Sequence, residues 1–475
     1  MQFTSYSYLL CLFFAVLVFW ALPVVYRRPF VLTLSVAFYA TWNVYLVFLP
    51  VAICAVTFLA SKAIRRNPQQ SGRAVKVGVA IIVATLVVCK YRGFVLENLA
   101  PLVAWLHPQP LPAILLIGLP LGISFYSFEA ISYLLDTRQG RVPSASFMDL
   151  CLFVMFWPHL IAGPIVRSRE LIPQLKFGRP FETRFLTAGL DRLLLGLAQK
   201  NLIANNIGSW VDDGFLPKVA ALNTTIDSWF LAVAFGLQIY FDFAAYSNMA
   251  IGAAQLIGVT LPENFRFPYH ASTPADFWSR WHMTLSRWIR DYVFFPLNAG
   301  YQDRKLRLYA SMIAVMALVG LWHGAGWGFV LWGAMHGAYL VIFRAVSGNP
   351  AGSAPRWPAR LSWRVFTLVA VAAAWVPFRA ASIGQSFTML SSMFWRISWG
   401  TSYSVNFYLI TLFWCAFCLA EPHLAKAING MDSLSRAKSA LMLNGYIVRP
   451  LAYACLLLVF LMFDDRDAQF IYFQF

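Results

Sequence analysis

Charge is what this chain has least of. Of its 475 residues, 12% are Asp, Glu, Lys or Arg and 60% are hydrophobic, with a mean hydropathy of +0.63. A soluble globular chain carries about 25% charged residues, so a water-soluble fold is excluded. Period-two alternation in short segments does not dominate, which excludes the pattern of a membrane β-barrel. The longest polar stretches, Arg167–Arg184 and Glu263–Arg307, are too short for an independent soluble core. No internal repeat and no low-complexity tail is visible. The opening apolar run, Tyr8–Leu22, lacks a basic leader and an Ala-x-Ala site, and is expected to be a first membrane helix, not a cleaved signal.

Cysteine chemistry is also missing. Seven cysteines are scattered, most of them in apolar runs: Cys11, Cys54, Cys89, Cys151, Cys415, Cys418 and Cys455. Cys415 and Cys418 have CxxC spacing, but they sit in the apolar segment Leu409–Leu419 without a second pair or a histidine set. They read as helix packing, and no metal site is expected.

What the chain does have is a series of apolar runs long enough to cross a bilayer as helices. Candidates fall near residues 6–25, 29–48, 49–64, 75–90, 110–135, 148–166, 226–243, 245–260, 308–323, 326–346, 363–379, 403–420 and 448–464. The expected fold is an all-α polytopic membrane protein with about 11–13 transmembrane or re-entrant helices. Some runs are broken, as at Phe156-Trp157-Pro158-His159 and Ala162-Gly163-Pro164. Irregular backbone at membrane depth is tolerated only inside protein or along a cavity, so these breaks imply an internal space.

The net charge is +17. The cations lie mostly between apolar runs: Arg27/Arg28, Lys62/Arg65/Arg66, Arg73/Lys76, Lys90/Arg92, Arg304/Lys305/Arg307 and Arg436/Lys438. That placement follows the positive-inside bias of cytoplasmic loops and does not indicate nucleic acid. Some of these clusters are also placed to attract an anionic cytosolic donor.

Residues 273–296 read as one amphipathic helix lying in the membrane interface. Thr273 can cap it, Pro274 suits its first position, and Asp276 follows three residues after the cap. Trp278, Trp281, Leu285, Trp288, Tyr292 and Phe295 recur at helical spacing, with Arg280, Arg287 and Arg290 opposite. His282 falls near the border of the two faces.

The most informative stretch is Leu321-Trp322-His323-Gly324-Ala325-Gly326-Trp327, set between apolar runs. An ionisable group at membrane depth is costly and marks a functional candidate. Imidazole accepts a proton near neutral pH, and the glycines permit close approach. The alternative for His323 is a buried structural histidine bonded to a carbonyl. His336 reads equally as packing, His159 lines a cavity, and His107, His270 and His423 read as loop residues. Asp242 either orients a histidine or forms a structural ion pair. There is no G-x-S-x-G elbow, Walker A loop, H-E-x-x-H or H-x-x-x-x-D motif. Without a covalent nucleophile motif, a histidine general base is the economical chemistry.

Trp281-His282, Leu285-Ser286-Arg287-Trp288-Ile289-Arg290-Asp291-Tyr292 and Leu321-Trp322-His323-Gly324 together resemble the signature of the membrane-bound O-acyltransferase (MBOAT) family. Leu121-Gly122-Ile123-Ser124-Phe125-Tyr126, Pro158–Pro164, Tyr240-Phe241-Asp242-Phe243, Asn248–Gly252 and Phe470–Phe475 resemble its branch that O-acetylates bacterial alginate and related exopolysaccharides, cellulose among them. One block departs: the branch usually reads Asp-Phe-Ser-Gly-Tyr-Ser-Asp, where this chain has Asp242-Phe243-Ala244-Ala245-Tyr246-Ser247-Asn248.

The resemblance implies a single membrane domain over residues 1–475, with a signature core at about 120–345 and helices around a funnel or tunnel. It implies His323 as catalytic base and His282 as second signature position, stabilising the oxyanion or positioning the acceptor. Arg280, Arg287, Arg290, Asp242, Trp322 and His159 are the substrate- and donor-binding candidates. No bound cofactor is implied; acetyl-CoA is the expected donor substrate. The implied setting is the bacterial inner membrane, with a periplasmic SGNH-type acetyltransferase and a polysaccharide synthesis and export complex as partners. D-alanyl or lipid O-acyl transfer is the enzymatic alternative, and a transporter built on broken helices is the non-enzymatic one.

Overall fold

The computed structural model describes residues 3–106, 120–301, 304–347, 358–434, 451, 453–454 and 470–471. His107, Cys455, Arg436, Lys438, the first part of the expected helix 110–135, most of 448–464 and residues 472–475 lie outside the described residues. Among those described, the regular elements are helical and none is a strand.

Seven helices there are long and apolar enough to cross a membrane: Val44–Arg66, Pro68–Leu99, Thr225–Leu256, Lys305–His323, Trp327–Ser347, Ala359–Arg379 and Val405–Leu424. Tyr6–Ala21 is a shorter apolar helix. The all-α polytopic reading therefore holds, with several boundaries moved. The two expected helices 226–243 and 245–260 are one helix of 32 residues, Thr225–Leu256. Asp242 does not break it, because the carboxylate is satisfied inside the protein by Lys200 Nζ at 2.6 Å and by the backbone N–H of Ile471 at 2.7 Å. Helices Thr183–Ala198 and Ile383–Phe394 were not expected. Both are amphipathic, and neither forms an apolar run of membrane length.

The chain packs as two compact units. The first comprises Met1–Leu193 and Tyr246–Glu263, the second Leu194–Ala245 and Asn264–Phe475. In the first unit the expected helix 148–166 is only Phe147–Met155, started by a Ser146/Asp149 capping box. It stops at Phe156, whose backbone leaves the helical region at ψ 106°, two residues before Pro158. The chain then runs irregularly past His159 to Pro164. Gly122 allows this close passage: it sits at φ +72°, and a Cβ there would lie 2.3 Å from the Leu160 carbonyl oxygen.

In the second unit, Lys305–His323 and Trp327–Ser347 form an antiparallel hairpin joined by three residues. Glycines set its spacing. A Cβ on Gly320 would lie 2.0 Å from the Phe329 oxygen, one on Gly333 2.1 Å from the Met316 oxygen, and one on Gly337 2.6 Å from Ile313 Cα. Small residues at four-residue spacing are the usual device by which membrane helices come into backbone contact.

Candidate active site

The hairpin ends at the site. His323 is the last residue of Lys305–His323, and Gly324 after it is extended, with φ −154°. The imidazole is buried at 4% exposure among aromatic rings. It meets Trp322 at 4.8 Å and Trp332 at 5.1 Å between centroids, the latter at 89°, and Phe378 at 5.5 Å. These edge-on contacts fix the orientation of the ring.

His282 comes to the same place from a different direction. The expected single helix 273–296 is in fact broken, into Pro274–Trp278, Met283–Ile289 and a wider-wound turn, Arg290–Phe294. The start is as read: Thr273 caps it by accepting from the Asp276 N–H at 3.0 Å, and Pro274 is first. The break falls at His282, whose backbone is left-handed at φ 40°, ψ 54°. Asn264 is what holds it. The Asn264 carbonyl accepts from Met283 N–H at 2.8 Å, while its side-chain oxygen meets His282 Nδ1 at 3.0 Å and Thr284 Oγ1 at 2.9 Å. A long-range polar clamp has overridden the local helical period, and it turns His282 fully inward.

The clamp also sets the chemistry of His282. Facing a carbonyl-type oxygen, Nδ1 carries the proton, so Nε2 presents a lone pair. Nε2 is buried with no hydrogen-bond partner. Burial lowers the pKa of His282 to about 3, so the ring is neutral at physiological pH. Its centroid lies 6.3 Å from that of His323 and 6.1 Å from that of Trp322, so the Trp322 indole contacts both imidazoles. The Phe243 ring closes the other side of His282 at 4.7 Å.

A cavity of about 450 Å³ lies next to this cluster, but neither His282 nor His323 lines it. Trp278, Leu285 and Val319, one helical turn before His323, form part of its wall, and Arg290 and Arg344 supply its cationic groups. Ligand sites are of this size and this mostly apolar kind.

The remaining sequence candidates fall in different places. Arg280 is tied to Asp276 at 2.7 Å. Arg287 is exposed and does not line the cavity. Arg290 lines it while pairing with Asp291 at 2.9 Å. Asp242 is engaged with Lys200 and Ile471, and is thus the structural ion pair, not the orienter of a histidine. His159 lies in the first unit, buried, with Nδ1 3.1 Å from Glu129 Oε1. His336 stacks on Phe277 at 5.9 Å and meets Trp332 edge-on at 4.9 Å, a packing role. The sequence reading missed Asn264, Phe378 and Arg344. Asn264 lies in a polar loop with no spacing signal. Arg344 follows the apolar run that carries His336, and a pattern of cations at run ends would have marked it.

The model of the membrane-bound O-acyltransferase family matches residues 34–377, a span that contains both histidines, Asn264 and the cavity. The chain belongs to this family. It is a multi-pass membrane O-acyltransferase. It is 36% identical over 386 residues to the "Probable alginate O-acetylase AlgI" of Azotobacter vinelandii, covering 80% of this chain and 75% of that one. It is also 36% identical over 388 residues to the peptidoglycan O-acetyltransferase of Helicobacter pylori, covering 76% and 72%. The teichoic acid D-alanyltransferase of Streptococcus thermophilus is 30% identical over 236 residues, covering 47% of this acyltransferase and 56% of that protein.

Proposed function

We propose that this acyltransferase takes an acetyl group from cytosolic acetyl-CoA and delivers it across the bacterial inner membrane for O-acetylation of an extracytoplasmic glycan. The observation that carries the reading is the buried pair His282 and His323, 6.3 Å apart between ring centroids beside a cavity that carries two arginines. In this reading Arg290 and Arg344 attract the donor phosphates, and the thioester reaches toward Val319 and His323.

His323 takes the proton of the acceptor hydroxyl as its oxygen bonds to the thioester carbonyl carbon. The carbon–sulfur bond then breaks, and the leaving thiolate recovers the proton from the imidazolium. A neutral His282 with its proton on Nδ1 offers Nε2 as an acceptor. That favours positioning of the acceptor hydroxyl over donation to an oxyanion. Trp322 and Phe378 exclude water from the pair. The acceptor is the glycan, or a serine of a periplasmic SGNH-type partner working with the polysaccharide synthesis and export complex. Acetyl transfer is favoured over D-alanyl transfer because the acetylating relatives align over about three quarters of their length, and the D-alanyltransferase over about half.

The test is the acetyl-ester content of the secreted or envelope glycan in a deletion strain carrying wild-type or His323→Ala protein, at equal membrane abundance. Loss of esters with normal polymer yield supports the reading. Unchanged acetylation removes His323 from the chemistry. Competition among acyl-CoA chain lengths for the purified enzyme separates acetyl transfer from lipid acylation.

A further inference from the structure

The first 96 residues contain nine Lys or Arg and no Asp or Glu. Five of the nine cluster where helix Phe48–Arg66 turns into helix Ser71–Leu86: Lys62, Arg65, Arg66, Arg73 and Lys76. Some of this charge is satisfied internally. Arg65 donates to the Val142 and Pro143 carbonyls at 2.9 Å each, and Lys62 lies over the Phe58 ring at 4.4 Å. Arg66 and Arg73 are exposed and make no described hydrogen bond or ion pair.

Both of these arginines line one groove, of about 510 Å³, that runs between the two helices. Small residues open it: Ala63 and Ala74 face it where larger side chains would fill it, with Leu59 and Val77 as walls. The helices touch at Gly78, where a Cβ would lie 3.0 Å from Ala60 Cβ and 2.9 Å from Leu134 Cδ1. Asn67 and Gln70 add amide groups at the arginine end. The hairpin meets little protein: 28% and 22% of the apolar windows of Val44–Arg66 and Pro68–Leu99 are buried. Among the described residues the groove is therefore open at the surface of an apolar hairpin, and two guanidinium groups with no described ion pair stand at its polar end.

We propose that this groove binds one anionic glycerophospholipid, with an acyl chain along the alanine-lined wall and the phosphate between Arg66 and Arg73. The apolar length selects a chain, not a soluble anion. Guanidinium matches phosphate geometry, and basic pockets between membrane helices on the cytoplasmic side suit anionic headgroups. Arg66 and Arg73 have no described ion-pair partner, and the lipid phosphate supplies that counter-charge.

The experiment is native mass spectrometry of the full-length protein, titrated with phosphatidylglycerol and, separately, phosphatidylcholine. Wild type is expected to retain one phosphatidylglycerol in preference to phosphatidylcholine. The variant Arg66→Gln with Arg73→Gln is expected to bind phosphatidylglycerol about 30-fold more weakly, with phosphatidylcholine unchanged. Ala74→Phe, which fills the groove, is expected to lose both lipids. An unchanged phosphatidylglycerol preference in the double glutamine variant overturns the proposal. So does an equal loss in Arg304→Gln with Arg307→Gln, which would assign the effect to the overall field of the protein. Displacement of the lipid by inorganic phosphate would reassign the arginines to a soluble anion. Should Ala74→Phe not fold, the double glutamine variant decides alone, since it alters only exposed side chains.

Discussion

At the scale of single residues, the site depends on one side chain that does no chemistry in the proposed reaction. Asn264 holds His282, fixes its tautomer and closes the break in the chain. Asn264→Ala is expected to lower kcat by about 10- to 100-fold, the worth of one buried hydrogen bond that orients a reacting partner, with donor KM little changed. Steady-state transfer by the purified enzyme checks this; a raised KM with normal kcat would reject the orienting role. The protonation of His282 gives a second expectation. Its pKa is about 3 when folded and about 6.5 when exposed, so the unfolded chain binds the extra proton below pH 6.5. Stability is therefore full above pH 6.5 and falls as the pH drops toward 3. At pH 5 the loss is about 2 kcal/mol. Thermal unfolding of the solubilised protein should show this slope in wild type and a flatter one in His282→Asn.

At the scale of elements, the hairpin Lys305–His323/Trp327–Ser347 is held together by backbone contact, so its glycines are unequal. Gly333→Ala forces a Cβ to 2.1 Å from the Met316 oxygen, a neighbour that cannot swing away. Loss of folded protein, or at least about 1–3 kcal/mol, is expected from such overpacking. Gly326→Ala meets only the Phe329 ring at 3.5 Å, ordinary contact, and should keep the wild-type melting temperature. If both variants melt alike, the close approach is not what stabilises the hairpin. This hairpin was legible in the sequence almost to the residue, because its elements are continuous apolar runs separated by glycine. The segment 273–296 was not. Its Trp and Leu spacing suits one helix, and only Asn264, distant along the chain, breaks it. The long helix Thr225–Leu256, expected as two helices, is continuous through Asp242, whose carboxylate Lys200 and Ile471 satisfy inside the protein.

At the scale of the whole molecule, composition alone established the membrane setting, and signature blocks from widely separated positions pointed to the family. Neither could say which arginines line the cavity. Of the three on the interfacial segment, Arg290 is on the wall, Arg280 is tied to Asp276 and Arg287 is outside, while Arg344 arrives from another helix. Arg344→Gln is accordingly expected to raise the KM for acetyl-CoA by about tenfold, the worth of one charge-assisted phosphate contact, while Arg287→Gln leaves it near wild type. Donor titrations at fixed acceptor distinguish the two; equal effects would mean that the phosphates lie outside this cavity.

The left-handed backbone of His282 bears on how substitutions there are read. At φ 40° a side chain with a branched or bulky Cβ is strained, and Asn, Asp and His are the non-glycine residues that adopt this region most readily. Replacing the imidazole by alanine thus changes two things at once, the ring and the ease of the turn. Asparagine changes only the first. The position is filtered by conformation before it is filtered by chemistry, and the residues able to occupy it form a short menu on which histidine and asparagine both stand.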